Sequence, residues 1–488
     1  MTAWLPVLTL MASFLTALIL FRIPDLRPRL RIAVNLVGAC LKLGLVLIMA
    51  HGVANGQVFE MRYALLPGLD LLLRVDPLAL LFLCLSAFLW LLTTIYAIGY
   101  FGSGPNQSRF FGFFSLAVTA TTGVALSGTL ITFFIFYEFL TLATWPLLTH
   151  KGNPESIAAG RKYLIYTLAG SAMLLTGMVW LESLTGPVEF AAVNGLIDLE
   201  QGALRTIFVL LVGGLGVKAA LIPLHGWLPA AMVAPAPVSA LLHAVAVVKA
   251  GAFGIVRIVY DVYGFELVQT IGVTIPLALV ASATIIWGSV RALSQKDIKR
   301  RLAYSTVSQV SYIVLGTALG GATATAAGLA HLVHQGLMKI TLFFCAGALA
   351  ERLHVTSVDQ LDGTGRAMPL TMFAFSIGAL GMIGMPPIAG FVSKWQLGIG
   401  GVEGGQLWVV FILAGSSMLN AAYFLPLIYR AWFRRPLSVP QSPHEHTPML
   451  VAPAIITAAA AVVSGLFAGH DYSPLGWAEL IVQVEYGL

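Results

Sequence analysis

Fourteen stretches of about 20 predominantly apolar residues divide this chain almost from end to end, and each is long enough to cross a hydrocarbon layer. They run approximately over 3–21, 31–52, 77–100, 109–126, 128–148, 159–181, 204–224, 236–259, 271–291, 302–320, 323–349, 368–396, 407–429 and 449–469, numbered below as spans 1 to 14. In hydrocarbon every backbone N–H and C=O must be satisfied by protein, so only helices or a closed barrel can span it. Segments of this length are helices. The expected fold class is all-α, a polytopic membrane protein. Composition agrees: 10% of residues are charged, against about 25% in soluble domains, and the mean hydropathy is +0.89.

Placing the basic residues on alternating sides of the fourteen spans separates them sharply. One side collects the clusters at 22–31, 151–162, 291–301 and 430–435, with Arg109, Arg352 and Arg366. The other receives Arg62, Arg74 and Arg205, with Arg257 near it. The positive-inside rule makes the first side cytoplasmic, so both termini are expected outside a bacterial plasma membrane. No Lys or Arg precedes the first apolar run, the opposite of a cleavable signal, and span 1 is read as a retained helix. The net charge of +6 is thereby explained without nucleic acid.

The longest polar stretches lie near 53–76, 182–203 and 351–367, and the segment after span 14 reads as a short outer tail. No Gly-rich nucleotide loop or nucleophile elbow is present, so no cofactor and no catalytic chemistry of its own are expected. Cys40, Cys84 and Cys345 lie in apolar runs at unrelated spacings, which implies neither disulfide nor metal.

Inside the spans stand Lys42, Lys218, Lys249, Lys339 and Lys394, with one carboxylate, Glu138. A charge near the bilayer centre costs about 2.5–3.5 kcal/mol on the most lenient scale, so such residues read as functional. Lys42, on span 2, is expected to snorkel or face lipid. The other four with Glu138 read as a proton or ion path. Histidines accompany them. His225 is either a relay or a partner for backbone freed by Pro223. His243 and Lys249, six residues apart, are expected on different faces of span 8. His331 and His334 share a face of span 11, with Lys339 less than a quarter turn from His331. Two histidines beside a lysine make a poor cation site, so a proton wire is expected there and no metal. Arg257 is expected at the interface, and Glu182, Asp198, Asp261 and Glu266 on a solvated surface.

Two spans carry helix breakers. Pro223, Gly226 and Pro229 follow Lys218 in span 7; Pro386, Pro387 and Gly390 precede Lys394 in span 12. Such breaks survive in a membrane only inside protein or beside a wet cavity. Each falls fourth in a group of five spans, a pattern that points to two inverted five-helix repeats. The expected organisation is 1–100 (spans 1–3), 101–262 (first repeat), 263–436 (second repeat) and 437–488 (span 14 and tail).

Four strings carry a family resemblance: KAALIPLHGWLPAA (Lys218–Ala231), PVSALLHAVAVVKAGAFGIVRI (Pro237–Ile258), SQKDIKRRLAYSTVSQVSYIVLG (Ser294–Gly316) and MPPIAGFVSKW (Met385–Trp395). Over about 100–430 the chain resembles the antiporter-like subunits of complex I, Mrp-type cation/proton antiporters and membrane-bound hydrogenases. Lys394 stands where the NuoM type usually has glutamate, and the NuoL and MrpA types carry a long lateral C-terminal helix. The MrpD type, then the NuoN type, or a counterpart in a hydrogenase or related complex, remain. The resemblance implies that Glu138 and Lys218 form a switching pair, that Lys249 is the central carrier, and that Lys394 is the terminal group. His225, His243, His331, His334 and Lys339 become relay positions. Gln335 stands where many relatives have histidine, which leaves the order of the wire open.

The implied function is proton translocation, against sodium or potassium, by one membrane subunit of a multisubunit antiporter. Two alternatives are a proton-pumping subunit of a redox complex and a membrane subunit of an inorganic-carbon uptake complex. All three imply other membrane subunits as partners.

Overall fold

The computed structural model describes residues 4–66, 69–102, 104–190, 196–435, 445 and 447–488. Among the described residues thirteen helices are long and apolar enough to cross a membrane. They supply every span but the twelfth, which is two half-helices, Pro369–Ile383 and Ala389–Glu403. Span starts follow local chemistry. The side chains of Asp76, Thr129, Asn153 and Asp297 accept from N–H groups of the first turns of spans 3 (Pro77–Phe101), 5 (Leu130–Leu148), 6 (Pro154–Thr185) and 10 (Ile298–Leu319).

Contacts between loops divide the molecule into two faces. Asp25, between spans 1 (Leu5–Arg22) and 2 (Pro28–Ala54), accepts from the backbone N–H of Asn106 and Ser108 before and at the start of span 4 (Gln107–Leu126). Lys299 donates to the carbonyl of Ala234, and Arg430 bonds Asp359 and Asp362. These groups form the basic face. On the opposite face the stretch expected to be a polar loop is a β-hairpin, Phe59–Leu66 (β1) against Leu69–Val75 (β2), antiparallel. In β1 the apolar Phe59, Met61 and Tyr63 alternate with Glu60 and Arg62, the period of a strand. Arg62 and Arg74 bind Glu60, Asp70 and Glu189, tying the hairpin to the loop after span 6. The tail is likewise no free loop: helix Pro474–Val484 packs on spans 3 and 11, and Glu485 accepts from Leu78 N–H at 2.8 Å.

Both predicted breaks are present. Span 7 is regular only over Gln201–Lys218 and then runs through short turns to Val233. The carbonyl of Val217, freed by the break, accepts from the Trp227 indole at 2.7 Å. A third interruption was not visible in the sequence: span 8 divides into Ala236–Ala244 and Val247–Arg257, with a wide π-turn over Ile258–Tyr263. No proline or glycine stands at Val245–Ala246, so no local signal marked it. The helical phase that separated His243 from Lys249 does not run through this point.

Spans 8 and 11 (Ala322–Leu353) are wholly enclosed by the others. Close approach makes this possible. A Cβ at Gly251 would lie 2.3 Å from Ala219 N and 2.8 Å from Leu215 O, so spans 7 and 8 touch backbone to backbone beside Lys218. Gly251→Ala is therefore expected to cost about 1–3 kcal/mol by overpacking and to lower the thermal midpoint of the solubilised protein. Gly44→Ala, where nothing lies within 4 Å of the added carbon, should not lower the midpoint and can raise it slightly, because Ala favours a helix interior over Gly.

Candidate functional site

Each lysine of the row lies where its span meets another, and each ammonium donates to an oxygen there. Lys218 ends the regular part of span 7, donates to the carbonyl of Tyr137, and stands 3.3 Å from the centroid of that ring. Its Nζ is 4.0 Å from Glu138 Oε1, which itself accepts from the Ser171 hydroxyl. The pair is thus adjacent, with each partner holding a second bond elsewhere. At 4 Å two opposite charges interact by about 4 kcal/mol at an effective dielectric of 20.

Lys249 is fully buried and donates to the carbonyl of Leu332 on span 11 at 2.7 Å. Lys394 reaches back across the break of span 12 to the carbonyls of Met382 and Ile383, at 2.7 and 3.2 Å. Those belong to the end of the first half-helix, where C=O groups lack helical partners and the dipole favours a cation. The break thus holds the lysine.

Lys339 is buried and turns toward span 10, donating to Ser305 Oγ at 2.8 Å. From there a continuous polar chain crosses to span 13 (Trp408–Phe433): the Tyr423 hydroxyl reaches Ser305 Oγ at 3.0 Å and Asn420 Oδ1 at 2.6 Å. Asn420 Nδ2 donates to Met382 O at 3.0 Å, the same carbonyl that holds Lys394. Ser305, Asn420 and Tyr423 were not singled out from the sequence. A serine, an asparagine and a tyrosine on apolar helices are common packing residues, and only their meeting is informative.

The histidines divide. His331 Nδ1 is 2.7 Å from Ser393 Oγ, and its ring lies 5.1 Å from that of Tyr312. The Lys394 ammonium stands 5.2 Å from the centroid of the same Tyr312 ring. His331 therefore belongs to the Lys394 end, away from the Ser305 contact of Lys339. Among the described residues His334 and His243 are buried without a partner on either nitrogen, and His243 packs on Phe343. The polar side-chain atoms of Gln309 and Gln335 likewise have no partner among the described residues. His225 is half-buried in the span 7 break, with Nδ1 unpartnered and the Tyr304 ring 6.3 Å away.

Three expectations outside the row are corrected. Lys42 faces neither lipid nor interface: it is fully buried, bonded to Thr122 Oγ1 at 2.5 Å and placed over the Trp90 ring. A hydrophobic helix gives no sign of which of its faces meets protein. Arg257 is likewise buried, and Asp261 is no surface acid. The guanidinium binds both Asp76 oxygens at 2.7 Å and Asp261 at 2.9 Å, with Glu485 at 4.0 Å. Glu266 is exposed and Glu182 half-buried, while the side chain of Asp198 lies outside the described residues.

Residues 127–420 match the family model described as NADH:quinone oxidoreductase/Mrp antiporter, transmembrane, and 68–111 match that for the N-terminus of complex I chain 5. The chain belongs to the NADH:quinone oxidoreductase/Mrp antiporter family. It is 39% identical over 373 residues to NADH-quinone oxidoreductase subunit N of Desulforudis audaxviator, covering 75% of this chain and 73% of that one. It is 30% identical to the A/B component of a probable K(+)/H(+) antiporter of Rhizobium meliloti, over 86% of this chain and 43% of that one. Among solved structures, the fold is similar to a chain of the Mrp complex from Dietzia, with a TM-score of 0.89, 24% identity and coverage of 99% of this chain and 97% of that one. A chain of complex I from Thermus thermophilus superposes with a TM-score of 0.75 at 24% identity, covering 96% and 98%. As a member of this family the protein is an antiporter-like, multi-pass membrane subunit.

Lys42 tests the energetics of the site's surroundings. Its ammonium is held by a hydroxyl and a ring face, with no carboxylate in contact among the described residues. Lys42→Met keeps the volume and removes the buried charge, so the thermal midpoint should rise, by about 1–3 kcal/mol of stability. A fall on differential scanning would contradict this account.

Proposed function

We propose that this chain carries protons across the bilayer as one membrane subunit of a multisubunit cation/proton antiporter. The observation that supports this best is the row itself: four buried lysines, each held by a neutral oxygen of a neighbouring segment, with Glu138 beside the first. A lysine bonded to a carbonyl or hydroxyl can give up its proton without leaving a buried ion pair broken, which would cost about 3–5 kcal/mol. Approach of Glu138 loads Lys218, and separation releases the proton toward Lys249. The unpartnered atoms of His243, Gln309, His331, His334 and Gln335 lie on the spans that carry Lys249, Lys339 and their neighbours. Buried polar groups of this kind take water as partner, so water links Lys249 to Lys339. The Ser305 and Tyr423 hydroxyls then extend the path toward span 13, and Asn420 positions its end by bonding the same Met382 carbonyl that holds Lys394.

Both ends of the row lie near a flank. Glu138 is 22% exposed, and Lys394 lines a groove of about 500 Å³ with the exposed Trp395 at its side. Adjacent subunits are the natural neighbours there. Spans 4–8 and 9–13 (101–262 and 263–436) form the paired repeats in this reading. The basic face is cytoplasmic, and both termini lie outside a bacterial plasma membrane. Sodium or potassium is the counter-ion, consistent with the K(+)/H(+) antiporter relative. The 39% identity to a subunit N favours a second reading, in which a redox reaction on partner subunits drives the same path.

Everted vesicles carrying the whole native complex separate these readings. Cation-triggered proton movement establishes antiport; pumping only on addition of a reductant establishes the redox-driven form. In either case Glu138→Ala and Lys218→Ala are expected to abolish proton movement while the chain still inserts. Near-normal movement in either would sink the switch. Tyr423→Phe, which removes one hydroxyl from the chain to Lys394, should slow turnover by about 10²-fold, the scale of losing a positioned proton-transfer group. An unchanged rate would remove Ser305 and Tyr423 from the path.

A further inference from the structure

Between spans 7 and 9 (Thr274–Leu293) the surface carries an apolar groove of about 580 Å³ that the proposed proton path does not use. Val209, Val212, Gly213, Ile222, Leu277 and Val280 line it, and Arg205 closes its mouth on the hairpin face. Val209 on the groove wall is 60% exposed, with Ile275 and Leu279 exposed beside it. In a membrane this groove opens on lipid.

Its length and its charge both point to one occupant. From Arg205 to Gly216 the groove follows span 7 for about 16 Å at 1.5 Å per residue. That is half of a hydrocarbon core about 30 Å thick, the depth of one leaflet. A transmembrane helix from a partner would need a track through both leaflets, whereas this one stops at Leu221–Leu224, in the break. The mouth is basic. Arg205 Nε donates to Ile271 O at 2.7 Å, which pins the side chain across the opening, and its only other partner among the described residues is Gln201 at 3.5 Å. Both partners are neutral, so among the described residues no carboxylate offsets the guanidinium charge and part of its N–H fork is left for a ligand. Span 9 starts at the same mouth with Val273 as its cap, which offers no side-chain acceptor to the first N–H groups. A phosphodiester suits both features.

We propose that this groove binds one anionic phospholipid of the hairpin-side leaflet. Arg205 and the start of span 9 hold its phosphate, and one acyl chain lies between spans 7 and 9. The chain ends against Ile222 and Leu224, in the turn that follows Lys218. The lipid therefore packs on the segment that positions the first lysine of the row.

The test is the labelling rate of Val209→Cys by a bilayer-dissolved maleimide. It uses the intact complex in nanodiscs of phosphatidylglycerol or phosphatidylcholine, in a Cys40→Ser background because Cys40 is exposed. Phosphatidylglycerol should slow labelling by about fivefold relative to phosphatidylcholine, the worth of one basic side chain toward anionic lipid. Arg205→Gln should abolish the difference and Arg205→Lys should retain it. Val280→Trp, which fills the groove from an exposed position, should abolish it without touching the arginine. Equal rates in the two lipids, or a difference that survives both Arg205→Gln and Val280→Trp, would overturn the proposal. Cross-linking of the introduced thiol to another protein chain would do so as well, by placing a partner in the groove.

Discussion

An ammonium at mid-membrane depth must be held by protein oxygen, and the architecture follows from that requirement. In a regular helix each carbonyl already accepts from the N–H four residues on, so an ammonium must find a free carbonyl or use the second lone pair of a bonded one. This protein supplies oxygens in two ways. It interrupts helices, so that the first half of span 12 ends on the free carbonyls that hold Lys394. It also packs helices closely enough for a lysine to reach a neighbour's backbone, as Lys249 does at Leu332. The breaks are tolerable in turn because indole and hydroxyl groups cap them: Trp227 on Val217, Thr284 on Ile222.

Enclosure of spans 8 and 11 is the second consequence. Both carry ionisable groups along their length, and both are surrounded on all sides by other spans. The outer elements secure that enclosure. On the hairpin face, Arg257 draws Asp76 from the start of span 3, Asp261 from the end of span 8 and Glu485 from the tail into one buried cluster. A guanidinium suits this role because its fixed fork serves several carboxylates at once. The hairpin, held to the loop after span 6 by Arg62 and Arg74, covers the same end.

Much of the candidate site could be read from residue type alone. A lysine in a long apolar run is conspicuous whatever surrounds it, so Lys218, Lys249, Lys339 and Lys394 stood out, and prolines beside two of them marked the breaks. The residues that connect them did not. Ser305, Asn420 and Tyr423 are unremarkable on their own helices, and they come from two spans more than a hundred residues apart. The interruption at Val245–Ala246 carries no breaker residue. Lys42 and Arg257 were misplaced for a shared reason: a charged residue on an apolar helix looks alike whether it faces lipid, water or protein.

Sequence by itself determined that the chain crosses a membrane many times as helices, which side each loop occupies relative to the others, and which residues carry charge within the bilayer. Those properties depend on run length, on breaker residues and on the distribution of Lys and Arg, all of which are local. Tertiary structure alone decided which helices are enclosed, which oxygen holds each ammonium, and where the polar links run. In a membrane the lipid-facing and protein-facing sides of a helix are equally apolar, so hydrophobicity carries no record of what packs against what. That record lies in the close approaches and hydrogen bonds between distant segments.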